Sequence, residues 1–328
     1  MKREEVRWGI LGKANISSRV VSALLAGGSG VLRAVASRDE AKARAWAVET
    51  GAKLSFGSYG DLIGSGEVDA VYIPLPNTLH REWAVKALEA GCNVLCEKPL
   101  AMSAAEAKEI SGAAGRNGRH VAEAFMYRHH PQWDVVMSCI KSGSIGKIRS
   151  IYSRFTFMND DPASVTASAE LGGGALLDVG CYCVDASRLL MGCDPARVSA
   201  FERRSDVDEM LLGMMEFPGG VTAQFECGID TFERHLFEVN GTEGSIVMES
   251  PWVPGMEAPV VKLMQNDSPA RVLRTQAVDP YAMEVCEFAA VCAGEAAARW
   301  PVAWSVGNMK TIDALFISAK EGRIVDVE

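Results

Sequence analysis

The chain has 328 residues, more than one hydrophobic core usually holds, so two domains are expected. Its 48% hydrophobic and 23% charged content is ordinary for a globular protein, and a net charge of −9 argues against a nucleic-acid surface, which needs a basic stripe. Nine cysteines without zinc-type pairing, no uncharged apolar run of about 18 residues and the charged start MKREEVRW lead us to expect reduced thiols in the cytoplasm, no metal and no membrane span.

Up to about residue 125, short apolar runs at 6–11, 31–37, 70–73, 93–96 and 120–122 alternate with helix-like segments. The first run leads into GILGKANIS, where Gly9, Gly12 and Ala14 make a G-x-x-G-x-A turn, looser than the G-x-G-x-x-G fingerprint. At a strand–helix junction such a turn lets backbone N–H groups approach a pyrophosphate, and the helix N-terminus adds partial positive charge. Alone, the turn can equally be structural. The second run ends VASRD. NAD enzymes place an acid here for the ribose 2′-OH, whereas this chain offers Ser37 and Arg38 first and Asp39 only afterwards. A hydroxyl and a guanidinium suit a 2′-phosphate, so NADP is favoured over NAD; the bland alternative is that Arg38 opens a solvated helix turn.

The third run passes into IPLPNTLH at 73–80. Two prolines fix the chain as it leaves the sheet, and Asn77 or Thr78 can cap a helix over 78–90. That helix puts Leu79, Trp83, Ala84, Ala87 and Leu88 on one face and stops at Gly91. His80, in its first turn, is expected to face the C-terminal ends of the strands, where ligands of open α/β sheets bind. CEKPL at 96–100 ends the next run; Lys98 is expected to point into the same crevice, and Pro99 restricts it to extended geometry and permits a cis bond. Ser103 and Glu106 form a capping box for a helix to about 115. This alternation reads as a parallel sheet covered on both faces.

After Glu123 the pattern changes: a helix at 131–142, a strand at 148–158, a helix at 175–191, then several strands in a row. Val221, Ala223, Phe225, Cys227 and Ile229 alternate with polar residues and Gly228, as in an antiparallel sheet with helices on one side. Its polar face is either wet or against a second subunit. Residues 251–278, with Pro251, Pro254, Pro259 and Pro269, read as loop-rich, and helices return at 281–293 and 304–320. In GGGALLDVGCYCVD at 172–185, Asp178 and Tyr182 are four apart and share a helix face. A carboxylate, a phenol and a lysine from another segment can converge on a carbonyl or alcohol; tyrosine titrates near 10, and a neighbouring ammonium lowers that. The bland alternative is that Asp178 caps and Tyr182 packs.

Taken in order, GILGKANIS, VDAVYIPLPNTLH, AGCNVLCEKPL, EAFMYRHHPQ, GGGALLDVGCYCVD and EVNGTEGSI resemble the glucose–fructose oxidoreductase / inositol dehydrogenase family over nearly the whole chain, and most of all its branch of NADP-dependent D-xylose dehydrogenases and dimeric dihydrodiol dehydrogenases. The resemblance implies a Rossmann domain at 1–124 and, at 125–328, a substrate domain with a large, mainly antiparallel open sheet, the C-terminal helix being free to pack back on the first. It also implies a homodimer or homotetramer through that sheet. Cofactor contacts are implied at Gly9, Gly12, Ala14, Asn15, Ile16, Ser37, Arg38, Leu75, Pro76, Asn77, His80, Glu97 and Lys98. Lys98 and Asp178 match the family's lysine and aspartate. Many relatives carry histidine where Tyr182 stands, so the acid–base residue is expected to be this tyrosine, as in the xylose and dihydrodiol branch. Arg128, His129 and Phe157 are expected on the substrate side, with the pocket shaped by loops such as 157–170 and 251–260. The expected activity is reversible hydride transfer between NADP(H), or else NAD(H), and a sugar or polyol. A non-catalytic NADP sensor and an NAD-dependent glycosidase are the alternatives.

Overall fold

The computed structural model describes residues 5–27, 30–254, 258–266 and 268–328, so the start MKRE and some of the 251–260 loop lie outside the described residues. The chain divides into two units, Met1–Met126 with Asp279–Val306, and Tyr127–Val278 with Gly307–Glu328.

In the first unit, β1 (Arg7–Leu11), β2 (Val31–Ala36), β3 (Leu54–Phe56), β4 (Ala70–Ile73), β5 (Asn93–Glu97) and β6 (Val121–Ala124) form a parallel sheet in the order β3-β2-β1-β4-β5-β6. The order reverses between β1 and β4, which opens a ligand crevice at the strands' C-terminal ends. Every residue of β4, AVYI, is buried, as a sheet covered on both faces requires. The helices are α1 (Ser17–Leu25), α2 (Glu40–Thr50), α3 (Tyr59–Gly64), α4 (His80–Glu89) and α5 (Ala104–Asn117). Ser103 Oγ accepts from the Glu106 N–H at 3.3 Å, as the capping box requires. The return bond shifts by one residue: the Glu106 carboxylate takes the N–H of Met102 at 3.0 Å. The helix expected from 78 instead opens with a 3₁₀ turn at Asn77–Leu79, and Leu79, not Asn77 or Thr78, stands at the N-cap of α4.

The second unit contains α6 (Pro131–Lys141), β7 (Ile148–Met158), a π-turn at Leu176–Gly180 and α7 (Cys181–Met191). The strands β8 (Arg197–Arg204), β9 (Asp208–Phe217), β10 (Val221–Gly228), β11 (Asp230–Gly241), β12 (Gly244–Met248), β13 (Val260–Gln265) and β14 (Arg271–Arg274) follow. After α8 (Pro280–Cys292) and α9 (Val302–Glu321) comes β15 (Val325–Asp326). The sheet order is β14-β13-β12-β11-β7-β10-β9-β8-β15; β7 and β10 pair in parallel and all other neighbours antiparallel. The 251–278 stretch read as loop therefore also carries the strands β13 and β14. Pro259 and Pro269 lie just before β13 and β14, outside the paired residues, where a missing N–H breaks no ladder bond. Where the π-turn meets α7, a Cβ on Gly180 would stand 2.7 Å from Cys227 Sγ, so only glycine allows the turn so near β10.

α8 belongs to the first unit although it follows the second unit's strands. Val285, Phe288 and Ala289 join Trp8, Val20, Leu24 and Leu32 in the core, with the Trp8 and Phe288 ring centroids 5.9 Å apart. Each fully buried large apolar side chain contributes about 1.5–3 kcal/mol.

Candidate functional site

The turn after β1 has the geometry its glycines predict. Gly12 adopts φ +98, and a Cβ there would lie 2.8 Å from Leu75 Cδ2 and 3.2 Å from the Tyr59 hydroxyl. Its N–H donates to Ala36 O at 2.9 Å, tying the turn to the end of β2. Ala14 N–H donates to Ser17 Oγ at 3.0 Å. Asn15 and Ile16 lie just before the first turn of α1, where N–H groups have no intrahelical acceptor. The result is a glycine cradle at a helix N-terminus, which fits a pyrophosphate.

Beside it lies a cleft of about 460 Å³ lined by Lys13, Ser37, Arg38, Lys42, Ala45, Trp46, Glu49 and Tyr59. Three cations and a serine hydroxyl form a phosphate-type lining, with Glu49 as its acid. Asp39, which could have served a ribose 2′-OH, is turned away: its Oδ1 accepts the Lys42 N–H at 3.0 Å as the N-cap of α2, and this bond holds its carboxyl below the usual range. Burial is the largest influence on Tyr59 and pushes its phenol up, against the Arg38 guanidinium that hydrogen-bonds to it. Sequence reasoning missed Lys13, Lys42, Trp46 and Tyr59. The available signal was local: Lys42 lies four residues after Arg38, in the first turn of α2.

His80 requires a correction. It is fully buried, with Nδ1 2.8 Å from Pro99 O and Nε2 2.7 Å from Leu75 O. Its ring ties the chain leaving β4 to the turn leaving β5 instead of facing the crevice. Burial pushes its pKa down, against the two carbonyls. Lys98 precedes a cis peptide to Pro99, is half-buried, and its N–H donates to the Glu97 carboxylate at 3.3 Å. The other Glu97 oxygen accepts from the Tyr72 hydroxyl. Leu75 is buried, while Pro76 and Asn77 are half-buried.

The second unit presents Asp178 and Tyr182. Asp178 lies in the π-turn and Tyr182 in the first turn of α7. In a plain α-helix the two share a face; here the π-turn inserts one residue ahead of α7. Thr166 Oγ1 donates to Asp178 Oδ2 at 3.0 Å. Tyr182 sits among rings: Phe155, Tyr127 and Trp252 have centroids 5.3, 5.6 and 6.0 Å from its own.

Arg128 also requires a correction. Expected on the substrate side, it is only 2% exposed, and its Nε and Nη2 both donate to Asp185 of α7. Tyr127 and Asn308 donate to the same carboxylate. Burial acts to raise the Asp185 pKa and is the largest single influence, yet the Arg128 charge and these hydrogen bonds together hold it below the usual carboxylate range. His129 and Phe157 are half-buried.

Residues 6–125 match the family described as an oxidoreductase family with an NAD-binding Rossmann fold, and residues 134–247 match the GFO/IDH/MocA C-terminal domain. The chain is 37% identical over 326 residues to D-xylose 1-dehydrogenase (NADP(+)) 2 of Haloferax volcanii, covering 98% of this chain and 99% of that one. It is 32% identical to trans-1,2-dihydrobenzene-1,2-diol dehydrogenase of Bos taurus, covering 76% of each. Its fold superposes, with a TM-score of 0.91 and 32% identity over 96% of this chain and 98% of the other, on a 3-ketoreductase from Actinomadura kijaniata in complex with NADP and TDP-benzene. That ketoreductase has also been solved with a lysine replaced by alanine and with a tyrosine replaced by phenylalanine.

Proposed function

The chain belongs to the GFO/IDH/MocA family of NAD(P)-dependent oxidoreductases, and from that premise we propose that it moves hydride reversibly between NADP(H) and a sugar or polyol. The observation that carries the cofactor half is the cleft of Lys13, Ser37, Arg38 and Lys42, with Asp39 committed to capping a helix. It suits the 2′-phosphate of NADP better than a bare ribose. The glycine cradle at Gly9, Gly12 and Ala14, with the N–H groups of Asn15 and Ile16, holds the pyrophosphate. Leu75, Pro76, Asn77 and Glu97 are assigned to the nicotinamide side, and His80 acts there only by fixing Leu75 and Pro99.

When bound, the cofactor accepts or supplies the hydride. In the oxidative direction Tyr182 takes the proton of the reacting hydroxyl, Lys98 favours the negative charge that develops on oxygen, and Asp178, oriented by Thr166, positions neighbouring hydroxyls. In reduction Tyr182 returns the proton. The lysine and tyrosine replaced in the ketoreductase stand as far apart in that sequence as Lys98 and Tyr182 do here, which supports assigning these two to the chemistry. His129 and Phe157 are assigned to the substrate side. D-Xylose and related aldoses are the first substrates to test, given the Haloferax relative.

We assign self-association to the outer face of the nine-stranded sheet, where Phe201, Leu212 and Met214 are exposed on the paired strands β8 and β9. Nine free thiols suit a reducing compartment such as the cytoplasm, and among the described residues no helix is long and apolar enough to cross a membrane. The test is a 340 nm screen of aldoses, ketoses, inositols and dihydrodiols with NADP⁺ and NAD⁺ and, in reverse, of their carbonyl products with NADPH and NADH. Turnover with a sugar or polyol and a preference for NADP(H) is expected. Cofactor binding without turnover of any of these compounds would overturn the reading.

A further inference from the structure

Outside the residues assigned above, one buried carboxylate is directed at the helix that carries them. Asp208, the first residue of β9, is 2% exposed, and its Oδ2 accepts the Leu176 N–H at 2.7 Å. Leu176 opens the π-turn, and its own carbonyl accepts the N–H of Cys181, where α7 begins. Tyr182 is the next residue. One carboxylate therefore anchors the residue whose carbonyl closes the π-turn, which sets the register between Asp178 and Tyr182.

Two of the three glycines before this helix make room for the arrangement. Gly174 adopts φ +110, and a Cβ there would collide with Asp208 Oδ1. A Cβ on Gly173 would collide with the backbone carbonyl of Thr166, whose hydroxyl holds Asp178. Without the anchor the π-turn can relax to plain α-helix by shedding its extra residue. This shifts the Asp178 backbone along and around the helix relative to Tyr182 and loosens the hold of Thr166 on its carboxylate.

We propose that Asp208 is a positioning residue for the oxidoreductase reaction, holding the Leu176–Gly180 π-turn in the register that presents Asp178 and Tyr182 together. This rests on the reading of Tyr182 as proton carrier. The groups facing the carboxylate are Arg204 and Glu202 on β8 and Cys227 on β10. Burial pushes the Asp208 carboxyl up to about 6, so the anchor loses its charge as pH falls through that value.

The experiment uses the full chain with the best substrate of the screen. Asp208→Ala is expected to lower kcat/KM at least tenfold, leave the NADP⁺ Kd from tryptophan fluorescence unchanged, and speed deuterium uptake at Leu176–Cys181. Asp208→Asn keeps an acceptor oxygen but not the charge, so at every pH it is expected to hold uptake and kcat/KM at the level the wild type shows below pH 6, between Asp208→Ala and the wild type at pH 8. It is also expected to remove an inflection near pH 6 in the wild-type profile. Wild-type kcat/KM and wild-type uptake in Asp208→Ala overturn the proposal. If that variant does not fold, Asp208→Asn decides: loss of the inflection supports the proposal and its persistence overturns it. Tyr182→Phe separates the two readings. Full turnover in that variant sinks the proton-carrier role, whereas lost turnover beside a normal Asp208→Ala sinks only the positioning role.

Discussion

Replacing Arg128 with methionine leaves the Asp185 carboxylate buried without its guanidinium. Asp185 is fully buried and would retain two neutral donors, Tyr127 and Asn308. Breaking a buried pair by removing one partner costs about 3–5 kcal/mol, because the remaining charge cannot be solvated. At roughly 2–4 °C per kcal/mol for a unit of this size, melting is expected to fall by about 10 °C at pH 8. The pH dependence supplies the sign. In the wild type the Asp185 pKa is lowered, so its contribution is present above the unfolded value of about 3.9 and is lost as pH falls through the lower folded value. In Arg128→Met, desolvation dominates and raises the folded pKa above about 3.9, so stability is lost as pH rises. The deficit against wild type must therefore be smaller at pH 5 than at pH 8. Arg128→Met with Asp185→Leu removes both charges and is expected to recover much of the loss. Scanning calorimetry of wild type, the single variant and the double variant at both pH values is the assay. A single variant that melts within about 1 °C of wild type at pH 8, or shows the same deficit at both pH values, would refute the reasoning.

Tyr182→Phe is expected to lower turnover by about 10²–10⁴-fold with NADP⁺ affinity unchanged, read by stopped-flow and fluorescence titration. Gly12→Ala forces a Cβ into a φ of +98 and against Leu75, and is expected to weaken NADP⁺ and NAD⁺ alike, by about tenfold or more in calorimetric titration. Glu49 pairs with Lys13 at 2.5 Å beside the basic cleft, so Glu49→Gln frees that cation and is expected to tighten NADP⁺ by roughly two- to fivefold without moving NAD⁺. A gain shared equally by both dinucleotides would disprove the pairing argument.

What could be read from the sequence followed the range over which each signal acts. The span of β7 and the capping of α5 are local, written in alternation and in Ser103 with Glu106, and both were found. The Gly12 turn was recognisable for the same reason. Arg128 was misread because its environment is set by Asp185, far along the chain, and an arginine beside histidines looks like a binding motif until that partner is known. His80 was misplaced similarly: two backbone carbonyls hold it, and carbonyls leave no trace in residue identity. The glycines before α7 stand against Asp208 and Thr166, partners that nothing local names. The strands β13 and β14 were hidden because the prolines that flank them, Pro259 and Pro269, read as loop.

The late arrival of α8 also matters during synthesis. The face that holds Trp8, Val20 and Leu24 is made early, yet Val285, Phe288 and Ala289 that finish it leave the ribosome only after the intervening sheet has been translated. At about 5–20 residues per second, that gap of about 150 residues lasts roughly 8–30 s. Throughout it the first 126 residues lack the α8 side chains that cover this apolar face, so a fragment ending at residue 126 is expected to aggregate.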